Sequence, residues 1–277
     1  FEANVGHGAE GTGALEVANS RYSGYFVTMD SIDFLDNQGS VPDLRVDAAE
    51  FEVSSITSDG ATYISSQGAA IMLKSSSGKT TEISGVSVTD ADGLGMYVQT
   101  GTAVMDDINL DTIAGSGLQA IVSSITLSNS SFSNCTTTSD EAGGAYLNVY
   151  GSTATITDTS FTDNQGKDVG GLYLLGAGSL DGVDFSGNYT NAGTDSVGGF
   201  LGTESVVIDD CTFDGNDGVA GGGLYVAEAT ITDSTVTNNT ATDGAGVYAV
   251  DADLSGVAIS GNVATGDGGG LYVEGDV

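Results

Sequence analysis

The chain has 277 residues, of which 39% are hydrophobic, 43 are glycine, one is proline and none is tryptophan. That length allows a sizeable buried core, and the hydrophobic content is too high for a disordered acidic tail. Lys and Arg number 5 against 38 Asp and Glu, which gives a net charge of −33. Nucleic acid and membrane insertion are therefore not expected, because basic side chains are few and scattered and no run of about 18 apolar residues occurs.

Residues 1–60 carry an irregular version of a pattern that becomes regular further along the chain. Ile32, Phe34 and Asn37 resemble one repeat unit, but the spacing that follows them is uneven. This part is predicted to form irregular leading coils or a cap. His7, the single histidine, lies in a glycine-rich stretch and is expected at the surface. A Ser-His-Asp triad is therefore not expected.

Residues 61–277 are predicted to form repeated units of about 24 residues. Two landmarks recur in them. Glycine pairs lead into short apolar strands, as before Leu172, Phe200 and Leu224. An aromatic or aliphatic residue is followed three positions later by an asparagine, and these asparagines are Asn164, Asn188, Asn216, Asn239 and Asn262.

A period near 24 residues with β-branched and aromatic runs between turn residues is typical of one coil of a parallel β-solenoid. Equivalent residues of successive coils would stack about 4.8 Å apart. The predicted internal column contains Phe132, Phe161, Phe185, Phe213, Val236 and Ile259.

The asparagines are expected to stack beside that column, because asparagine tolerates the left-handed region and its amide can bond to its neighbour. The glycine pairs are expected where positive φ and close backbone approach exclude a Cβ. Val277 directly follows a strand start, so an open last coil is predicted. Such a coil implies end-to-end self-association or continuation in a longer chain.

The repeat resembles that of the polymorphic outer membrane proteins of chlamydial autotransporters and other microbial surface proteins. The resemblance rests on the tetrads Phe161-Thr162-Asp163-Asn164, Phe185-Ser186-Gly187-Asn188 and Phe213-Asp214-Gly215-Asn216, together with the glycine pairs. It covers about residues 132–277. It implies an all-β, right-handed parallel β-helix at the cell surface or outside the cell, with a role in adhesion or surface architecture and with host or cell-surface ligands as partners.

A polysaccharide lyase or hydrolase is the rival interpretation, because β-helices also carry such enzymes. Those reactions need a positioned base or a carboxylate pair, with basic side chains to hold sugar acids. From residue 93 onward the only basic side chain is Lys167. The sequence therefore favours a non-enzymatic protein and names no catalytic residue.

Calcium is the one candidate cofactor. Turn carboxylates beside exposed carbonyls are the hard ligands that this ion prefers, and the candidates are Asp163, Asp168, Asp214 and Asp217. The alternative is that turn aspartates cap backbone amides and keep the chain soluble.

Two further features concern covalent chemistry. Cys135 and Cys211 lie three coils apart in the predicted register, too far for a disulfide, so two unpaired and buried thiols are expected. Among the N-glycosylation sequons, Asn129 and Asn238 are the candidate acceptors, whereas Asn188 belongs to the predicted internal ladder.

A tyrosine stripe is the most suggestive predicted surface feature. The strand after each glycine turn places tyrosines at one outward position, with Leu201 in one coil between them; the predicted contact residues are Tyr146, Tyr173, Tyr225, Tyr248 and Tyr272, preceded by Tyr97. Such a stripe could stack on sugar rings or pack against another rod. The alternative is that tyrosine simply forms stable strand ladders.

Together these patterns predict a structural or adhesive segment of an extracellular surface protein or fibre. A glycan-binding module that uses the tyrosine stripe is the alternative, followed by a lyase-like or hydrolase-like enzyme.

Overall fold

The structure, a computed structural model, describes residues 15–18, 26–35, 38–39, 42–48, 50–63, 69–75, 78–139, 141–191 and 195–275. His7 and Asn37 lie outside these ranges. All regular elements of the described residues are β-strands, which follow one another as β1 (Leu15–Ala18), β2 (Phe26–Leu35), β3 (Gln38–Gly39), β4 (Leu44–Ala48), β5 (Glu50–Asp59), β6 (Thr62–Tyr63), β7 (Ala69–Ser75), β8 (Thr80–Thr89), β9 (Leu94–Asp111), β10 (Leu118–Ser128), β11 (Ser131–Ser133), β12 (Ala145–Val149), β13 (Ala154–Thr157), β14 (Ser160–Thr162), β15 (Gln165–Gly166), β16 (Leu172–Leu175), β17 (Gly178–Asp181), β18 (Asp184–Ser186), β19 (Tyr189–Thr190), β20 (Phe200–Asp209), β21 (Thr212–Asp214), β22 (Leu224–Thr232), β23 (Thr235–Thr237), β24 (Thr240–Ala241), β25 (Val247–Ser255), β26 (Ala258–Ser260), β27 (Val263–Ala264) and β28 (Leu271–Val273).

Twenty-two of the described strands form the three long faces of a solenoid, the short strands pair separately as β3–β6, β15–β19 and β24–β27, and every strand pairing is parallel. The first face contains β1, β4, β7, β12, β16, β28 and the first parts of β9, β10, β20, β22 and β25. The second face contains β13, β17 and the adjoining parts of the longer strands. The third face contains β11, β14, β18, β21, β23 and β26, after the ends of β2, β5, β8 and β9.

Each strand pairs with its equivalent in the next coil, as the sequence predicted. The first face has eleven such strands in the described residues, which corresponds to ten turns and a length of about 48 Å. Long strands such as β9 run around two corners and belong to all three faces. Within the described residues no helix is long and apolar enough to cross a bilayer.

Side chains alternate between the interior and the surface because successive residues of a strand point to opposite sides. In β12, Ala145, Leu147 and Val149 are buried, whereas Tyr146 and Asn148 are half-buried on the outer side. The interior is thus a continuous apolar core that runs from Val27 to Ala252.

The predicted phenylalanine column is confirmed. Phe132, Phe161, Phe185 and Phe213 are fully buried, and their rings stack with centroids 4.9, 5.1 and 5.0 Å apart. Val236 and Ile259 continue the column. Toward the N-terminus it continues through Leu110, Val88, Ser58 and Phe34.

Ser58 interrupts this apolar column with a polar contact. The side chain is 1% exposed, and its hydroxyl donates a hydrogen bond of 2.6 Å to Asp43 Oδ2, itself buried. The buried carboxylate and hydroxyl satisfy each other, which explains how a serine occupies a position that holds phenylalanine further along.

Corners of the coil are made by residues in the left-handed region, some of them glycine and others not, and this corrects one expectation. Asp107, Asn129 and Asp158 turn the chain between the second and third faces with φ of 55°, 48° and 47°. After the third face the left-handed residue is the one before the ladder asparagine, such as Asp163 or Asn238. The ladder asparagines themselves do not adopt positive φ, so their presence has another cause, the hydrogen bonds described below.

The glycine pairs also differ from expectation in their physical reason. Gly171 and Gly199 do not have positive φ. Instead, a Cβ on Gly171 would lie 2.5 Å from the carbonyl oxygen of Gly199, and one on Gly199 would lie 2.3 Å from that of Gly223. Close approach of stacked backbones therefore accounts for the pairs without any need for unusual φ.

The first 60 residues contribute paired strands to the same solenoid. β1 pairs with β4, and β2 pairs with β5 from Phe26 to Leu35. Gly60, with φ of 70°, lies at the corner where the predicted boundary falls. At the other end of the described residues, Ile259 and Leu271 are half-buried, in contrast to their buried equivalents in earlier coils.

Truncation of the phenylalanine column should be strongly destabilising. Phe185→Ala is expected to lower the free energy of unfolding by about 3–5 kcal/mol, because it removes a buried ring stacked on both sides and leaves a cavity. Val207→Ala, at a half-exposed position on the second face, is the control and should change it by no more than about 0.5 kcal/mol. Urea unfolding followed by circular dichroism measures both, and equal midpoints would contradict the role of the column.

Candidate functional site

The asparagine ladder is a chain of buried amides that bond each coil to the next. Asn164 Nδ2 donates to Asn188 Oδ1 at 3.0 Å, and the same bond recurs to Asn216, Asn239 and Asn262 at 3.0, 3.0 and 2.9 Å. The steps between them are 24, 28, 23 and 23 residues. Four of the five asparagines are fully buried, and Asn262 is half-buried.

The three inner ladder amides, Asn188, Asn216 and Asn239, use their full hydrogen-bonding capacity. In Asn188, Nδ2 donates to Phe161 O at 2.8 Å and to the next ladder amide, while Oδ1 accepts from the backbone N–H and from Nδ2 of Asn164. An amide that makes four bonds in a dry interior leaves no polar group unsatisfied. The residues predicted as a structural ladder thus hold that place in the structure.

The ladder begins at Cys135, which occupies the asparagine position in its coil. Its backbone N–H donates to Asn164 Oδ1 at 3.0 Å, and its Sγ contacts Ser133 O at 3.4 Å. Both cysteines are buried and unpaired, as predicted. Burial raises the pKa of each thiol to about 12, so neither is a reactive thiolate at neutral pH.

The predicted tyrosine stripe follows one outward position of the first face. The register from coil to coil is Tyr97, Gln119, Tyr146, Tyr173, Leu201, Tyr225, Tyr248 and Tyr272. All of these side chains are half-buried. Sequence alignment found the tyrosines and Leu201 but missed Gln119, because no glycine pair precedes its strand and that strand contains no aromatic residue.

Tyrosine rings of the stripe contact one another along the solenoid axis. Tyr225 and Tyr248 stack with centroids 4.8 Å apart, and Tyr248 and Tyr272 lie 4.7 Å apart. Tyr146 and Tyr173 meet edge to face at 5.3 Å. Where rings stack in succession, each covers the face of its neighbour, which leaves chiefly the ring edges toward solvent.

Carboxylates lie close to the hydroxyl ends of the stripe. Tyr248 Oη donates a 2.5 Å hydrogen bond to Glu274, which raises the pKa of the phenol. Burial, with Glu141 nearby, raises the pKa of Tyr146, and burial together with Asp168 and Glu141 raises that of Tyr173. The phenols therefore remain protonated and act as hydrogen-bond donors or acceptors at physiological pH.

A pocket of about 630 Å³ opens on the first face where the stripe is interrupted. Tyr97, Gln119 and Tyr146 line the pocket, together with residues of the turns before their strands. Lys74 also lines it, and its Nζ lies 5.0 Å from the centre of the Tyr97 ring, within the range of a cation–π contact. Neither Lys74 nor Gln119 was singled out from the sequence.

The candidate calcium ligands are distributed over separate contacts. Asp214 accepts hydrogen bonds from Thr237 at 2.6 Å and Asn238 at 2.8 Å, and Asp217 accepts one from Thr240 at 2.8 Å. Asp168 pairs with Lys167 at 3.6 Å, and Asp163 forms a left-handed corner. Within the described ranges, no three of the His, Cys, Asp and Glu side chains come together as a metal site.

Several corner aspartates, Asp214 among them, accept hydrogen bonds from the following coil. Asp106 accepts from Ser128 and Asn129 of the next coil, both at 2.7 Å, and Asp214 accepts from Thr237 and Asn238 in the same way. Asp111 does so with Ser133 and Asn134. The hydrogen bonds hold the pKa of Asp106 and Asp214 below the ordinary value. The sequence signal is an aspartate one period before a Ser-Asn or Thr-Asn pair.

The two candidate glycosylation residues take part in this pattern. Asn129 and Asn238 are exposed and left-handed, and each donates its side-chain amide to an aspartate of the preceding coil. Asn188 is fully buried in the ladder, so its sequon is inaccessible in the folded chain.

All of these features belong to one class of protein, a parallel β-solenoid whose coils are linked by side-chain ladders. The family model described as "Right handed beta helix region" matches residues 69–175 and 149–277. The chain belongs to this right-handed β-helix family. No curated protein and no solved structure matches it. The narrower resemblance to polymorphic outer membrane proteins stays a prediction.

Loss of a fully buried ladder amide should destabilise the solenoid more than loss of the half-buried ladder amide at the end. Asn188→Ala leaves the N–H and one amide hydrogen of Asn164, together with Phe161 O, unsatisfied in the interior. The expected loss is at least about 3 kcal/mol in the free energy of unfolding. Asn262→Ala, in the half-buried last rung, should lose less. Chemical denaturation compares the two, and an equal loss would show that burial does not set the effect.

Asp214→Ala should lower the free energy of unfolding by about 1 kcal/mol, because Thr237 and Asn238 lose their acceptor. Since the loss is of hydrogen bonds, it should be the same with calcium and with EGTA. Asp253→Ala, which removes an exposed charge from the second face, controls for the change in net charge.

The same variant has a defined pH dependence. Because the folded-state pKa of Asp214 lies below the ordinary value of 3.8, its carboxylate stabilises the fold above that pH. That stabilisation is lost as the pH falls through the lower, folded-state pKa. Wild type and Asp214→Ala should therefore differ at neutral pH and converge in strong acid. A calcium-dependent difference between them would instead identify Asp214 as a metal ligand.

Proposed function

We propose that this chain is a non-enzymatic structural or adhesive segment of an extracellular surface protein or fibre. One observation carries the proposal: polar groups of each coil, including the ladder amides and several corner carboxylates, are bound to equivalent groups of a neighbouring coil. Such contacts stiffen a rod along its axis. Side chains used in this way hold the coils together and are not directed at a substrate.

The described lysines also have contacts within the chain. Lys79 donates a 2.7 Å hydrogen bond to Glu50, Lys167 pairs with Asp168, and Lys74 lies over Tyr97. A lyase or hydrolase that acts on acidic sugars needs a basic side chain together with free carboxylates around one substrate. These pairings favour the non-enzymatic role over that alternative.

Placement at the cell surface or outside the cell is supported by the repeat's resemblance to microbial surface proteins. The net charge of −33 supports it further, because neighbouring acidic rods repel one another and stay dispersed. Its partners would be further solenoid coils, through end-to-end association or a longer chain, and ligands on other cells. The role we propose needs no cofactor, and calcium would act only as a bridging ion at the acidic surface.

Glycan binding along the tyrosine stripe is the second candidate function. It is favoured by the position of the stripe, whose side chains face outward from the first face and are half-buried by the adjoining turns. Aromatic side chains held in this way can pack against the apolar face of a sugar ring.

Two measurements test the proposed function. Antibodies against the chain should label intact cells that produce it, and external protease should remove that label, whereas an intracellular control protein stays protected. The purified chain should release no unsaturated or reducing sugars from pectin or polygalacturonate. Turnover that disappears in Lys79→Ala or Glu50→Gln would overturn the non-enzymatic assignment, and label restricted to broken cells would overturn the placement.

A further inference from the structure

The tyrosine stripe has one coil in which neither an aromatic nor an aliphatic side chain occupies the outward position. That position is Gln119, between Tyr97 and Tyr146. The two tyrosines are two coils apart, about 9.6 Å, which is beyond the distance at which aromatic rings stack directly. Elsewhere in the stripe the adjoining outward position holds a tyrosine or Leu201, and Tyr225 and Tyr248 stack directly. The break at Gln119 leaves aromatic surface that the ladder itself does not cover.

The pocket of about 630 Å³ lies at this break and has the size of a small-molecule site. Tyr97 and Tyr146 supply its aromatic surface, and Gln119 supplies an amide that both donates and accepts hydrogen bonds. Ser139, exposed in the turn beside it, adds a hydroxyl. Aromatic surface next to groups that donate and accept matches a sugar ring, which has an apolar C–H face and an edge of hydroxyls.

Charge in the pocket indicates which sugars fit. Of its described lining residues, Lys74 and Glu141 are the charged ones, with opposite signs. Lys74 is held near the Tyr97 ring, and Glu141, after burial, contributes to the raised pKa of the Tyr146 phenol. An ammonium and a carboxylate can bind hydroxyls as donor and acceptor, but they offer no net charge to an anionic ligand. The strongly acidic surface of the chain also repels anions.

We propose that the pocket at Gln119 binds a neutral oligosaccharide, with a sugar ring packed between Tyr97 and Tyr146 and its hydroxyls bonded to Gln119, Lys74 and Glu141. This inference rests on the adhesive role proposed above and gives that role a site and a ligand class. It also narrows the glycan contact from the whole predicted stripe, which includes the tyrosines at residues 225–272, to the break in the stripe.

The test compares binding of neutral and acidic trisaccharides by isothermal titration calorimetry, with maltotriose, cellotriose, tri-N-acetylchitotriose and trigalacturonate as probes. At least one neutral probe should bind, and trigalacturonate should bind at least about tenfold more weakly. In a chain with isotope-labelled tyrosines, NMR shifts should move at Tyr97 and Tyr146 and stay constant at Tyr225 and Tyr272.

The decisive variant is Gln119→Tyr, which extends the ring ladder across the pocket and should abolish binding while the chain stays folded. Leu201→Tyr is the matched control: it adds a tyrosine to the same outward column between Tyr173 and Tyr225, so binding should be unchanged. Gln119→Ala, which opens the pocket, should weaken binding without closing it. Circular dichroism and urea unfolding confirm that each variant is folded.

Three outcomes would overturn the proposal. These are no heat of binding with any neutral probe, wild-type affinity in Gln119→Tyr, or preferential binding of trigalacturonate that depends on Lys74. Dimerisation that is lost in Gln119→Tyr, in place of sugar binding, would assign the pocket to a second copy and would equally overturn it. None of these results alters the surface-labelling or turnover tests, so the site can fail while the structural role stands.

Discussion

Each paired strand residue of a coil lies about one strand spacing, roughly 4.8 Å, above an equivalent residue of the previous coil, and this constraint governs the stacked faces of the molecule. Side chains at equivalent positions must pack against or bond to one another, because an unfavourable contact between them would recur in every coil. Phenylalanine, asparagine and tyrosine meet the requirement in three different ways. Phenylalanine stacks face to face in the dry core, asparagine bonds to itself, and tyrosine stacks at the half-buried outer side.

The same constraint makes acidity compatible with a stable fold. Stacked aspartates repel one another, and Asp181 does stack on Asp209, but at other corners a carboxylate lies next to hydroxyl and amide donors of the following coil. Asp106 lies below Ser128 and Asn129, and Asp214 lies below Thr237 and Asn238. A carboxylate that accepts two hydrogen bonds from the next coil becomes part of the axial contacts between coils. The rod therefore retains a high negative charge at the surface while some of that charge contributes to cohesion.

Much of this arrangement could be predicted from the sequence after residue 132, where Phe and Asn recur together and fix the register. The earlier coils carry the same architecture with Ser58, Val88 and Leu110 in the phenylalanine column, so their residue types hide the repeat. Close contacts between residues that do not occupy equivalent positions were also beyond sequence reasoning. The position of Lys74 over Tyr97 depends on a distance that only the folded coil defines.

The hydrogen bonds from one ladder amide to the next all run in one direction, and this has a consequence for the order in which the rod can form. One amide hydrogen and the backbone N–H of Asn164 find their acceptor on Asn188, which lies in the coil that follows. If the coils fold in order from the N-terminus, the newest coil therefore holds unsatisfied donors until the next coil has folded onto it. The newest coil is the least stable one, so folding is favoured as a continuous process in which each added coil satisfies the donors of the coil before it.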